Sequence, residues 1–243
     1  GARRVFSGCA RMAPTSVVWL SPPSATKAWL CWRPLRKPLA VPGSELSGLL
    51  NSNDTSGVPE TARLICDPQL IFDTDAVTQA LDAACTDLTG AALRSAVVAV
   101  LRDVQKQSRA KIATAFAAAP FDARPMTRAY TYLADGLVRT ALEVATKRLH
   151  PKPNPTEGER LSLIGVGGYG RGELHPHSDI DLLFLTPNHL EDTTQNQLSA
   201  FITFLWDLKL DIGHAVRTVT QCHDEALKDI TVCSALMESR LII

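Results

Sequence analysis

The chain is short of the features that mark several protein classes. Cysteine is sparse: six residues in 243, at positions 9, 31, 66, 85, 222 and 233, with no C-x-x-C pair. That is too thin and too scattered for a disulfide scaffold. Reduced thiols and a cytoplasmic location are the expectation. No apolar run approaches the roughly 18 residues that a membrane span needs, and a stretch such as 96–101 is among the longest. Excess charge of one sign is also missing, with 25 basic residues against 25 acidic ones. A nucleic-acid or polyanion binder normally carries a basic surplus. Membrane protein, disulfide mini-domain and nucleic-acid binder are thereby excluded as expectations.

The balanced total conceals a split. Residues 1–60 hold seven Lys or Arg against three acids, three of the four tryptophans and seven of the fifteen prolines. So many prolines leave no room for a long helix or a central strand. The acid-poor start resembles a transit peptide in composition, but Pro14 and Pro22-Pro23 interrupt the apolar stretch at 17–20. Residues 1–60 are expected to be a disordered or non-native leader.

From about Asp75 the texture becomes Ala-rich with helical spacing. Val77, Leu81, Leu93, Val97, Leu101, Ile112 and Phe116 follow a 3.6-residue period as far as Pro120, with Gly90 as a break. A second helix opens near Pro125 and runs to about Leu149. This gives a helical region over 75–150 arranged as a hairpin. After Gly158 the period shortens. Strands are expected at 161–166, 179–185 and 214–219. Thr194 with Gln197 offers a capping box for a helix carrying Trp206 on its core side, Thr220 caps another, and 231–241 reads as a last amphipathic helix. The fold class is α+β: a helical hairpin, then a small mixed-sheet domain over 158–243 with flanking helices.

One segment carries the chemistry: GVGGYGRGELHPHSDID at 165–181. Gly165-x-Gly167-x-x-Gly170 matches a dinucleotide fingerprint, but that motif requires a full helix after the last glycine, and Pro176 forbids it. A phosphate P-loop fails because Arg171-Gly172 stands where Lys-Ser/Thr is required. A metal hydrolase could be built from His175, His177, Asp179 and Asp181, since alternate residues of an extended segment point the same way. Nucleotidyl transfer fits the spacing best. Gly167-Gly168 closes one strand, and Asp179-Ile180-Asp181 opens the next. Both carboxylates then share one face while Ile180 enters the core. Paired carboxylates repel unless a cation neutralises them, which suits Mg²⁺ and its preference for hard oxygen ligands.

The run from Gly167 to Leu174, followed by Pro176 and Ser178-Asp-Ile-Asp-Leu182, resembles the signature of the bacterial PII uridylyltransferase/uridylyl-removing enzymes. These belong to the DNA polymerase β-like nucleotidyltransferase superfamily. The resemblance extends through residues 205–208, 213–218 and 231–241, and more loosely back to about Asp75. It implies transfer of UMP from UTP to a tyrosine of the PII signal protein, with pyrophosphate released. Asp179 and Asp181 would be the catalytic pair and Mg²⁺ ligands. Gly167, Gly168, Ser178 and Arg171 would bind nucleotide, although Arg171 and Arg217 serve equally well as surface ion pairs. The superfamily's third carboxylate falls on Ala215 here, so either two carboxylates suffice or Asp211 substitutes. The family also carries a uridylyl-removing HD domain and ACT sensor domains with no counterpart in this sequence. The expectation is a nucleotidyltransferase core truncated at its C-terminus, competent for transfer at most. The competing expectation, from a different class, is a non-catalytic nucleotide-binding regulatory module.

Overall fold

The computed structural model describes residues 63–152, 162–188 and 191–243. The leader at 1–60 and the start of the expected strand at 161 lie outside them. The described residues fall within one compact unit, 54–243.

Helices lead. Asp67 and Asp73 each turn a carboxylate onto the free amides of a first turn, starting α1 (Pro68–Ile71) and α2 (Thr74–Ala84). The break at Gly90 is real: α3 (Gly90–Ala118) begins there, with Gly90 at φ +54°. Its buried stripe, Leu93, Val97, Leu101, Ser108 and Ile112, repeats at helical spacing. A turn through Pro120 leads into α4 (Ala123–Glu143), which ends in a π-helical turn, Val144–Leu149. Helix α4 buries mostly small residues, including Ala129, Ala134 and Ala141. Close approach is therefore possible, and at Gly136 a Cβ would lie 2.5 Å from the ring of Phe72.

The sheet follows. Strands β1 (Ser162–Gly165), β2 (Ile180–Leu185), β3 (Ile212–Arg217) and β4 (Arg240–Leu241) are ordered β3-β2-β1-β4. Strand β1 pairs antiparallel with both β2 and β4, while β2 and β3 run parallel. A parallel pair needs a crossover, and α6 (Asp192–Asp207) supplies it. The single helical turn α5 (Gly167–Gly170) links β1 to the loop before β2. Helices α7 (Val219–Lys228) and α8 (Ile230–Met237) follow β3.

Strand alternation sorts the sheet into two faces. Ile180, Leu182 and Phe184 join the main core with α4 and α6, where Phe184 meets Phe201 edge to face at 5.6 Å. Leu183 and Ala215 point the other way, into a small cluster with Cys222 of α7, packed by Leu236 of α8. Among the described residues no helix is long and apolar enough to cross a membrane.

Several expectations are corrected. The third strand starts at Ile212, earlier than 214, and its helix is capped by Thr218 rather than Thr220. The capping box forms at Thr218 and Gln221, not at Thr194 and Gln197. Those two are buried, and Gln197 donates to the carbonyl of His150 at 2.6 Å. Trp206 is 55% exposed instead of core, with its ring edge-on to His214. The last expected helix stops at Met237, and the chain then forms β4, which adds a fourth strand.

Candidate functional site

Asp179 and Asp181 stand at the entry to β2 as period two requires, with Ile180 buried between them. Asp181 lies on the small-core face, half-buried, and Asp179 is exposed. The register sets Asp181 against Gly213 of β3. A Cβ on Gly213 would collide with Asp181 Oδ1 and lie 3.9 Å from Asp179 Oδ2. Both carboxylates thus face one small space that exists because position 213 has no side chain. Glycine inside a strand commonly marks such a close approach.

The glycine turn forms the other wall. Gly167 sits at φ +59°, a left-handed conformation that favours glycine. A Cβ there would lie 3.5 Å from Asp181 Oδ2. The Val166 amide donates to the Asp181 carbonyl at 3.1 Å, fastening the turn to β2. At Gly168 the nearest atoms to an added Cβ are Arg171 Nη2 and the Glu173 carbonyl, both at 3.7 Å.

Electrostatics mark Asp181. Burial, and then the negative charge of Asp179, push its carboxyl up from 3.8 to about 6. A half-buried carboxylate with a second carboxylate beside it is suited to a hard cation. Among the described residues no group of three or more His, Cys, Asp or Glu side chains could hold a metal. Any ion here would be held by these two aspartates, with remaining ligands from water and phosphate oxygens, as Mg²⁺ commonly accepts.

The other expected residues divide. Ser178 adjoins Asp179 on an exposed turn, its amide donating to the His175 carbonyl at 3.2 Å. Arg171 reaches back beside Gly168 but is paired with Glu238. Arg217 ends β3 opposite Leu185, four residues along the strand from Gly213, or about 13 Å at the usual rise. Ala215 pairs with Leu183 and is buried beneath α7, so the third carboxylate expected from the resemblance has no counterpart there. Asp211 lends its carbonyl to the Ile180 amide at 2.8 Å but does not complete a three-carboxylate group. His175 and His177 are exposed, and the run from His175 to Asp181 gathers no three-ligand metal site.

Behind the loop at 174–178 lies a cleft of about 130 Å³ lined by Arg109, Tyr130, Ser178 and Lys209, among others. Small-molecule sites run to roughly 300 Å³ and more, so a nucleotide does not fit inside it. Sequence reasoning missed Gly213, whose signal was a glycine one residue before the expected strand. It also missed Asp135 and Arg240, which hold Tyr169 of the glycine turn.

Known proteins match this chain. The family model described as glutamate-ammonia ligase adenylyltransferase (GlnE) matches residues 53–221. A bifunctional uridylyltransferase/uridylyl-removing enzyme of Ruegeria pomeroyi is 50% identical over 71% of this chain and 19% of the relative. A protein of the same name in Cereibacter sphaeroides is 40% identical over 76% of this chain and 20% of the relative. Another in Vibrio cholerae reaches 58% over 34% of this chain and 9% of the relative. The chain thus spans about a fifth, or less, of the length of these curated relatives.

Proposed function

The chain belongs to the glutamate-ammonia ligase adenylyltransferase family, and we propose that it is a nucleotidyltransferase that moves UMP from UTP to a tyrosine of a PII signal protein. One observation carries the reading: Asp179 and Asp181 face a single space walled by Gly167 and Gly213. The choice of UMP over AMP rests on the relatives, which are named uridylyltransferases, whereas the family description names an adenylyltransferase.

Transfer of this kind is an in-line displacement at phosphorus, in which positioning and charge stabilisation do most of the catalysis. Asp179 and Asp181 would hold one or two Mg²⁺ ions. When bound, the metal stabilises charge on the attacking and leaving oxygens. Gly167 and Gly168 present backbone without a Cβ, so phosphate oxygens can approach their amides. Ser178 is carried into this reading by the family resemblance, as a hydroxyl donor to phosphate. Arg171 lies close enough to Gly168 to offset charge on departing pyrophosphate once released from Glu238. The phenolic proton of the acceptor tyrosine must leave during attack, and Asp179, the exposed carboxylate of the pair, is placed to take it.

A two-carboxylate site also favours a second reading, in which nucleotide binds without transfer. One experiment separates the two. The purified chain is incubated with Mg²⁺, a PII protein and α-labelled UTP or ATP. Label passing from UTP to protein tyrosine supports the proposal. Label from ATP alone would reassign the base, and saturable UTP binding without transfer would establish the binding module.

A further inference from the structure

Three residues far apart in sequence converge behind the glycine turn. Tyr169, 1% exposed, donates its hydroxyl to Asp135 Oδ1 on α4 at 2.6 Å. Arg240 of β4 grips the same carboxylate with two bonds, Nη1 to Oδ2 at 2.8 Å and Nη2 to Oδ1 at 3.0 Å. Its other donors reach the turn itself: Nη2 to the Tyr169 carbonyl and Nε to the Gly170 carbonyl, both at 3.3 Å. The guanidinium also stands over the Tyr169 ring, 5.3 Å from its centre. Bidentate charge-assisted pairs of this kind fix geometry as well as adding energy.

We propose that Asp135, Tyr169 and Arg240 form a clamp that sets the position of the Gly167–Gly170 turn against Asp181, and so act as positioning residues for the nucleotide. This rests on the nucleotidyltransferase reading. The clamp holds the turn by its concealed side, leaving Gly167 facing Asp181. Gly170 shows how tightly the turn is wedged, since a Cβ there would collide with the Glu238 carbonyl and lie 2.8 Å from that of Gly165. Burial and the neighbouring Asp135 carboxylate hold the Tyr169 phenol well above its ordinary value, so it remains a donor to Asp135 at neutral pH. Arg240 lies beyond the 53–221 span of the family match, so the clamp joins matched and unmatched parts of the chain.

The test uses Tyr169→Phe, which removes one oxygen and keeps the ring, with Arg240→Lys and Asp135→Asn beside it. Two readouts are taken well below each variant's Tm. The first is hydrogen exchange at the amides of Gly170, Arg171, Gly172 and Glu173, which bond back to residues 166–169. Exchange there should speed up about tenfold while α3 amides stay unchanged, the mark of local rather than global opening. The second is steady-state transfer: KM for UTP should rise about tenfold with kcat within about twofold, the pattern of lost ground-state binding. Unchanged turn exchange, or a lower Tm with unchanged KM, would overturn the clamp. Should the wild-type chain neither bind nor use UTP, the functional reading fails on its own evidence. Accelerated turn exchange would then leave the clamp purely structural and the positioning role refuted.

Discussion

Asp181 must be ionised to hold a cation, in a place where ionisation is disfavoured. Its carboxyl is raised to about 6, first by burial and then by Asp179. The sign of the stability effect follows. A carboxyl raised above its unfolded value favours folding fully below about pH 3.8, and the benefit is lost as pH rises through about 6. Asp181→Asn, neutral throughout, should therefore melt higher than the metal-free parent at pH 7.5. After allowing for solvent screening we expect on the order of 1 kcal/mol, or about 2–4 °C, shrinking as pH falls through about 6 and vanishing near 3.8. The same variant should lose transfer about 100-fold or more, because an amide cannot neutralise the metal as a carboxylate does. A less stable Asp181→Asn, measured by calorimetry, would contradict the strained pair; wild-type turnover would contradict its role. Mg²⁺ affinity in the parent should rise with pH up to about 6 and level off above 7, since proton and metal compete for one group. His177→Ala, an exposed loop change, should leave that affinity within about twofold by titration calorimetry.

At the scale of elements, the site depends on register. Asp-x-Asp at a strand entry and the preceding Gly-Gly were legible in the sequence, because period two alone places both carboxylates on one face. Gly213 was not legible as a partner. Its importance arises only when β2 and β3 pair so that residue 181 meets residue 213, and that register is set by packing of Leu183 on Ala215 and Leu182 beside α6. Gly213→Ala supplies the check. The new methyl would displace Asp181 Oδ1 while the strand's other contacts remain. We expect Mg²⁺ affinity to fall about tenfold and transfer by more, with the far-ultraviolet circular dichroism unchanged. Unaltered metal binding would show that the two carboxylates do not converge beside β3. Capping followed the same logic of local ambiguity. Thr194 and Gln197 have the spacing of a capping box, yet α6 begins at Asp192, and tertiary burial of both side chains overrode the local signal.

For the whole molecule, the long apolar stripe of α3 was legible because it is periodic over many turns. The clamp was not, since Asp135, Tyr169 and Arg240 are polar residues brought together only by packing. Nor was β4, whose two residues carry no period at all. The assembled fold is asymmetric about its sheet. One face rests on the extended core shared by α4 and α6, whereas the face bearing Asp181 is covered through a cluster with only Leu183, Ala215 and Cys222 buried. Helix α8 has no buried residue, and α7 has Cys222 alone. Val219, Leu227, Ile230 and Met237 are between 64% and 79% exposed. Local opening follows the lowest density of buried apolar contact, so α7 and α8 should open before α3 and α4. Native-state hydrogen exchange should find amides of α7 and α8 at least about 100-fold less protected than those around Val97, Leu101 and Leu137, which are at most 1% exposed. Opening on this face would also hydrate Asp181 and relieve the burial that raises its carboxyl. Equal protection on both sides of the sheet would mean that the small cluster is coupled to the main core, and the cover would then be as rigid as the scaffold beneath it.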